Sequence, residues 1–179
     1  MASNMINIST QNISLASAQR SVAGNQNGYF AIVGFYCSGT GNRPNSTGLT
    51  IKFDPRLTLL GDEWGDIFAG KVYDSAGHVI TNLKGRTPTQ EQRGDNIWFA
   101  ATSNSDAITN DYMLYYACVQ FPADVEVGDV FPIQVLLEDE DHNACEFLYA
   151  DSTADDATNQ TDMAWTKAHL VNGGITVVE

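Results

Sequence analysis

The feature that most constrains the fold is a series of short runs in which apolar and polar residues alternate. In residues 48–54, Leu49, Ile51 and Phe53 fall on one side of an extended chain, and the residues between them fall on the other. Similar runs recur along the sequence, separated by clusters of Gly, Asn, Asp and Ser that are typical of turns. Residues 29–37 are apolar almost throughout, as in a strand covered on both faces.

This pattern predicts an all-β fold, a jelly-roll β-sandwich of roughly nine strands in two sheets. One segment, residues 155–170, departs from it, because Met163, Trp165 and Leu170 have a mixed helical spacing. Thr161 or Asp162 could cap a short helix there, which predicts one helical insertion near the C-terminus. With no repeat or linker, we expect a single domain over residues 1–179, of which 1–3 are vector-derived.

The charge of the chain excludes two classes of partner. Nine Lys and Arg stand against 22 Asp and Glu, which gives a net charge of −13 and a pI near 4.3. Such a surface repels phosphate backbones and anionic lipid, so we expect no nucleic-acid partner. No apolar run approaches the length that crosses a bilayer, and we expect no membrane insertion.

Motifs of catalysis and metal binding are mostly missing. There is no G-x-S-x-G nucleophile turn, and the three histidines lack zinc-ligand spacing. Loop carboxylates are plentiful at residues 62–66 and 138–141, and a glycoside hydrolase needs only two. In so acidic a chain these carboxylates are expected on a solvated surface, and an EF-hand spacing for calcium is missing. We predict no catalytic residue, no metal site and no cofactor in this chain. The alternative is a calcium ion held by the acidic loops, since calcium takes clusters of oxygen ligands.

Two other features have plain interpretations. Cys37, Cys118 and Cys145 are widely spaced and allow at most one disulfide, so each is interpreted as a small buried apolar residue. The tripeptide Arg93–Gly94–Asp95 is interpreted as part of a hairpin turn, with adhesion-receptor binding as a remote alternative.

Several segments, taken in order, resemble a cohesin domain, the module of cellulosome scaffolds that receives dockerin modules carried by enzymes. The strand at 48–53 enters an aromatic-Asp-Pro turn at residues 53–55. The further segments are WGDIF (64–68), AITND (107–111), VGDVFPI (127–133) and NGGITVVE (172–179). The resemblance spans nearly the whole chain, although the hairpin-like loop at 70–86 and the insertion at 155–170 are unusual for the simplest cohesins.

The resemblance implies a nine-stranded jelly-roll that is not an enzyme and that docks a dockerin on one open sheet face. Calcium is then expected on the dockerin, and the module is expected to be extracellular, secreted or attached to a cell surface, and monomeric when free. The strands that resemble the family's docking strands are 45–52, 87–92, 97–104 and 131–137. Carried over by alternation, the partner-facing positions are Ser46, Gly48, Thr50, Lys52, Trp98, Ala100, Thr102, Asn104, Gln134 and Leu136.

The strand at 96–104 allows two orientations. Ile97, Phe99 and Ala101 make one face, and Trp98 and its alternate neighbours make the other. We expect an outward Trp98 to anchor a protein partner. The alternative is that Trp98 is core and the orientation is inverted.

Two other functions share features with this sequence. A carbohydrate-binding module also has the jelly-roll architecture, but it needs coplanar exposed aromatic residues, and Trp64, Trp98 and Trp165 fall on separate elements. The interpretation as a glycoside hydrolase depends only on the abundant carboxylates. Shared architecture does not separate these functions.

Overall fold

The computed structural model describes most of the strands and the turns between some of them. The described residues are 5–8, 10–22, 25–38, 46–60, 72–73, 89–103, 112–136, 145–148, 159–160 and 170–179.

In chain order the elements are β1 (Met5–Ile8), β2 (Thr10–Ser14), α1 (Leu15–Ala18), β3 (Gln19–Val22), β4 (Asn25–Ser38), β5 (Ser46–Phe53), β6 (Thr58–Leu60), β7 (Val72–Tyr73), β8 (Thr89–Gly94), β9 (Ile97–Ser103), β10 (Tyr112–Gln120), β11 (Val130–Leu136), β12 (Cys145–Leu148), β13 (Asn159–Gln160), β14 (Leu170–Val171) and β15 (Gly173–Val178).

These strands form two sheets. The back sheet has the order β14-β1-β4-β10-β6, with β3 beside β4 and β7 beside β3. The front sheet runs β8-β9-β5-β11-β15-β2. Strand β12 extends the front sheet beside the first half of β5, and β13 pairs with β12. Successive strands β1 and β2 lie in different sheets, each in a parallel pair. The predicted all-β sandwich of jelly-roll type is confirmed, with short additional strands along its edges.

The main core lies between the sheets. Leu49, Ile51 and Phe53 of β5 are fully buried, as their alternation predicts. Burying each such side chain contributes about 1.5–3 kcal/mol. The other strands contribute Ala31, Val33 and Phe35 of β4, Trp98 and Ala100 of β9, Ala117 and Val119 of β10, Phe131, Ile133 and Val135 of β11, and Ile175 and Val177 of β15.

A second, smaller cluster lies on the far side of the back sheet. Phe30 and Cys118 are fully buried there with Leu60, and Ile32 packs against them. Residues 30–35 of β4 are therefore covered on both faces, which is why this part of the strand lacks polar alternation. Cys118 is a buried thiol, and its interpretation as a small apolar residue is confirmed.

The turn after β5 is held by side chains. Leu57 N donates to Asp54 O at 3.0 Å, and Arg56 donates through its backbone N and its guanidinium to the Asp54 carboxylate. The same guanidinium donates to Val130 O. Burial pushes the pKa of Asp54 upward, but the hydrogen bonds and charge of Arg56 outweigh it, and the pKa lies below its usual 3.8.

Asn96 ties this turn to the β8–β9 hairpin. Its side-chain Nδ2 donates to Asp54 O and to Leu57 O, both at 2.8 Å, and its carbonyl accepts from Phe53 N. Asn96 has φ 55°, a left-handed conformation that Asn tolerates well. The predicted hairpin turn at residues 93–96 is confirmed, and it fixes where β9 begins beside β5.

The predicted C-terminal helix lies mostly outside the described residues. Within its range, Asn159–Gln160 and Leu170 are in strands β13 and β14. The one helix of the described residues is α1, a single turn that the sequence analysis did not predict. Ser14 caps it, since Ser17 N donates to Ser14 Oγ at 3.2 Å.

Candidate functional site

The candidate site is the outward side of the front sheet across β8, β9, β5 and β11. Directly opposed residues of paired strands point to the same side of a sheet. Thr50 lies opposite Phe99 on one side and Leu136 on the other, and Lys52 lies opposite Ile97 and Gln134. We call this surface the outer face; its members are Gly48, Thr50, Lys52, Glu91, Arg93, Ile97, Phe99, Ala101, Gln134 and Leu136.

Arg93 occupies the centre of this surface. The β8–β9 pairing shifts register between Gln92 and Gly94, and such a bulge re-aims the side chain at its extra residue. The Arg93 guanidinium lies 4.0 Å from the centroid of the Phe99 ring, and its Nη1 donates to Thr50 Oγ1 at 2.8 Å. Its Nη2 is 3.7 Å from the Glu91 carboxylate, and the side chain is only 8% exposed. Arg93 is therefore a fixed part of the surface.

The strands next to Arg93 carry both polar and apolar side chains on the outer face. Lys52 and Gln134 are exposed, whereas Ile97, Phe99 and Leu136 are half-buried. The ion pairs formed between described residues are Arg56–Asp54 and Arg93–Glu91, so within that part of the chain Lys52 has no carboxylate partner. The outer face thus combines apolar side chains on β9 and β11, the two strands that flank β5, with a lysine on β5 whose charge is not neutralised within the described residues.

The orientation predicted for β9 is wrong. Trp98 is 6% exposed and Ala100 is fully buried, both in the main core. Trp98 lies opposite Ile51, a buried residue, so it shares the inward side of the sheet. Both faces of this strand are apolar in sequence, and alternation does not tell which one points inward. The alternative orientation, with Trp98 in the core, is the one the structure has.

Of the predicted partner-facing positions outside β9, some are exposed and some are buried. Lys52 and Gln134 are exposed, and Leu136 is half-buried. Gly48 and Thr50 lie on the expected side but are buried, Thr50 in contact with Arg93. The expectation that they are exposed is wrong.

Three predicted positions are not described in full. Ser46 and Thr102 are described only as strand backbone, and Asn104 lies outside the described residues.

The residues that sequence reasoning missed are Glu91, Arg93, Ile97, Phe99 and Ala101. The usable signal was the pairing of β9 with β5: once Leu49, Ile51 and Phe53 are core, the residues opposite Gly48, Thr50 and Lys52 must face outward. Arg93 had no such signal, since its direction depends on a bulge. Because Arg93 is packed against Phe99, the interpretation of residues 93–95 as a hairpin turn is favoured over adhesion-receptor binding.

Within the described ranges the structure shows no group of three or more His, Cys, Asp or Glu placed to hold a metal ion. Nor does that part of the chain contain a helix long and apolar enough to span a membrane. Trp64, Trp165, the acidic runs at 62–66 and 138–141 and all three histidines lie outside the described residues.

Comparison with known proteins finds similar structures but no similar sequence family. No protein-family model and no curated protein matches the chain. Among solved structures, it is similar to a type III cohesin module from the cellulosomal ScaE cell-surface anchoring scaffoldin of Ruminococcus flavefaciens. That match has a TM-score of 0.65 and 24% identity, over 98% of this chain and 88% of that one.

Two more distant structures agree. The sixth cohesin of Acetivibrio cellulolyticus scaffoldin B, solved in complex with a Cel5 dockerin mutant, matches with a TM-score of 0.55 and 13% identity, over 97% of this chain and 98% of that one. A non-cellulosomal cohesin from the archaeon Archaeoglobus fulgidus matches with a TM-score of 0.51 and 11% identity, over 98% and 91%. The chain has the fold of a cohesin module.

Proposed function

We propose that this protein is a non-catalytic docking module that binds a dockerin through the outer face and so assembles or anchors a cellulosome. The proposal is supported by the cohesin fold over nearly the whole chain and by the scaffoldin B cohesin, which was solved with a dockerin bound. The single observation that carries it is the outer face itself. A preformed sheet presents Ile97 and Phe99 on β9 and Leu136 on β11, and the exposed Lys52 lies between Ile97 and Gln134.

This surface suits a protein partner better than a small ligand. It is carried by backbone hydrogen-bonded strands, and Arg93 is already immobilised, so little ordering is needed on binding. A standard interface buries roughly 800 Å² on each partner, which a face of four strands can supply. We assign the apolar contact to Phe99 and Ile97 in place of Trp98.

The proposal also covers properties that follow from such a role. The module has no cofactor of its own, and the dockerin holds the calcium. It works outside the cell, secreted or at the cell surface, as a single domain that is monomeric when free. The similarity to a cohesin from a cell-surface anchoring scaffoldin supports this location.

The test is calorimetric titration of the protein with a panel of dockerin modules, including those of Ruminococcus flavefaciens and Acetivibrio cellulolyticus, in calcium and in EDTA. The proposal predicts one-to-one binding to at least one dockerin that is lost in EDTA. Retention on cellulose or xylan, with no dockerin bound at micromolar concentration, would contradict it and favour a carbohydrate-binding module. Burial of Trp98 removes one of the three tryptophans on which that alternative depends.

A further inference from the structure

We infer that Lys52 selects the partner: the surface that docks on the outer face presents a carboxylate to the Lys52 ammonium. This inference rests on the proposed function and goes beyond it, because it names the chemistry of the partner at one position.

The position of Lys52 carries the argument. Ile97 lies directly opposite it on β9 and Gln134 on β11, while Phe99 and Leu136 lie one step along the same two strands. Apolar side chains therefore stand on both sides of Lys52. A partner that covers Ile97 and Phe99 on β9 and Leu136 on β11 spans β5, and Lys52, which lies between Ile97 and Gln134, falls within the covered area.

Covering Lys52 has an energetic consequence. An ammonium group that loses its water without gaining a partner is strongly destabilised. Among the residues whose side chains are described, no carboxylate pairs with Lys52: Glu91 is opposite Phe99 on the far side of β9, and its carboxylate faces Arg93. We assign the compensating negative charge to the docked surface.

The charge distribution points the same way. The chain carries 22 acidic and 9 basic residues, yet the outer face has two basic residues, Lys52 and Arg93, and one acidic residue, Glu91. Arg93 is engaged by Thr50, Phe99 and Glu91. Lys52 is therefore the position of the outer face at which charge complementarity with a partner is decided.

The experiment measures dockerin affinity by calorimetry for the wild type, Lys52→Met and Lys52→Glu. Lys52→Met keeps the apolar stem and removes the charge. Val171→Glu, on the back sheet, lowers the net charge by the same amount as Lys52→Met and serves as the matched control. We expect Lys52→Met to weaken binding more than about tenfold, Lys52→Glu to weaken it further, and Val171→Glu to have no effect.

A charge reversal on the partner identifies the carboxylate. Surface Asp and Glu residues of the bound dockerin are replaced by Lys one at a time, and each is titrated with the wild type and with Lys52→Glu. We expect one reversal to lose binding to the wild type and regain it with Lys52→Glu. If Lys52→Met binds like the wild type, or if no reversal restores binding to Lys52→Glu, the inference is wrong.

Phe99→Ser separates failure of the inference from failure of the proposed function. If Phe99→Ser abolishes binding while Lys52→Met and Lys52→Glu leave it unchanged, docking on the outer face is supported and the inference about Lys52 is wrong. If no dockerin binds the wild type, the proposed function and the inference about Lys52 are both wrong.

Discussion

The guanidinium of Arg93 lies over the ring of Phe99, with its central carbon 4.0 Å from the ring centroid. Arginine at this distance is attracted to the ring face, and the contact fixes both side chains on the outer face. Thr50 completes the arrangement by accepting a hydrogen bond from Arg93 at 2.8 Å. The outer face is therefore organised before any partner arrives.

The Arg93–Thr50 hydrogen bond is expected to stabilise the fold. Thr50 is fully buried, so Thr50→Val keeps the shape of the side chain but leaves a charged donor without its acceptor. We expect a loss of about 1–3 kcal/mol in the free energy of unfolding. The measurement is urea denaturation of Thr50→Val, Arg93→Met and the double variant. In the Arg93→Met background, Thr50→Val should lower the free energy of unfolding much less. An equal loss in both backgrounds would mean that the two residues are not coupled.

Trp98 is expected to contribute to stability and not to docking. Trp98→Ala removes a large core side chain and should lower the free energy of unfolding by about 3–5 kcal/mol. Trp98→Phe is the milder variant if Trp98→Ala does not fold. We expect Trp98→Phe to shift the urea midpoint downward and to leave dockerin affinity unchanged where the protein is folded. Unchanged stability together with lost binding would place Trp98 on the outer face, contrary to the structure.

Asn96 is expected to act in two separable ways. Asn96→Gly keeps the left-handed conformation and removes the two side-chain hydrogen bonds to the β5–β6 turn, which should cost about 1–3 kcal/mol. Asn96→Ala loses the same bonds and adds backbone strain of about 1–2 kcal/mol. Thermal and urea unfolding of both variants measure the two contributions. An alanine variant as stable as the glycine variant would argue against a left-handed residue 96.

The Asp54–Arg56 pair predicts a specific dependence of stability on pH. The pKa of Asp54 is lowered in the folded protein, so the ionised carboxylate stabilises the fold above the unfolded-state pKa. This contribution is lost as pH falls through the folded-state pKa. Asp54→Asn cannot ionise, so its stability deficit should be constant above about pH 5 and shrink below about pH 4. Urea midpoints across this range test it, and a deficit that stays constant or grows in acid would contradict the assignment.

Much of the fold was accessible from the sequence because the strands are strongly patterned. Leu49, Ile51 and Phe53 alternate with polar or small residues, so the inward side of β5 was predicted correctly. The aromatic-Asp-Pro turn was recognised as a motif, but its attachment to Asn96 depends on contacts between segments some 40 residues apart, as the hydrogen bonds show.

The candidate site was predicted less well, for physical reasons. In β9 both faces are apolar, so periodicity left two orientations, and only pairing with β5 decides between them. Thr50 is polar and lies on the outer side, yet it is buried because a bulge in β8 turns Arg93 onto it. Local sequence does not determine where a bulge directs a long side chain.

The central claim is that a dockerin binds on the outer face of the front sheet, where Phe99 points outward. The most direct test is the affinity of Phe99→Ser for a dockerin that binds the wild type, compared with Val171→Ser on the back sheet. Val171 is 39% exposed and makes a suitable apolar control. We predict that Phe99→Ser weakens binding about 30-fold or more, corresponding to about 2 kcal/mol, and that Val171→Ser leaves it unchanged. Wild-type affinity in a folded Phe99→Ser variant would show that the dockerin binds elsewhere.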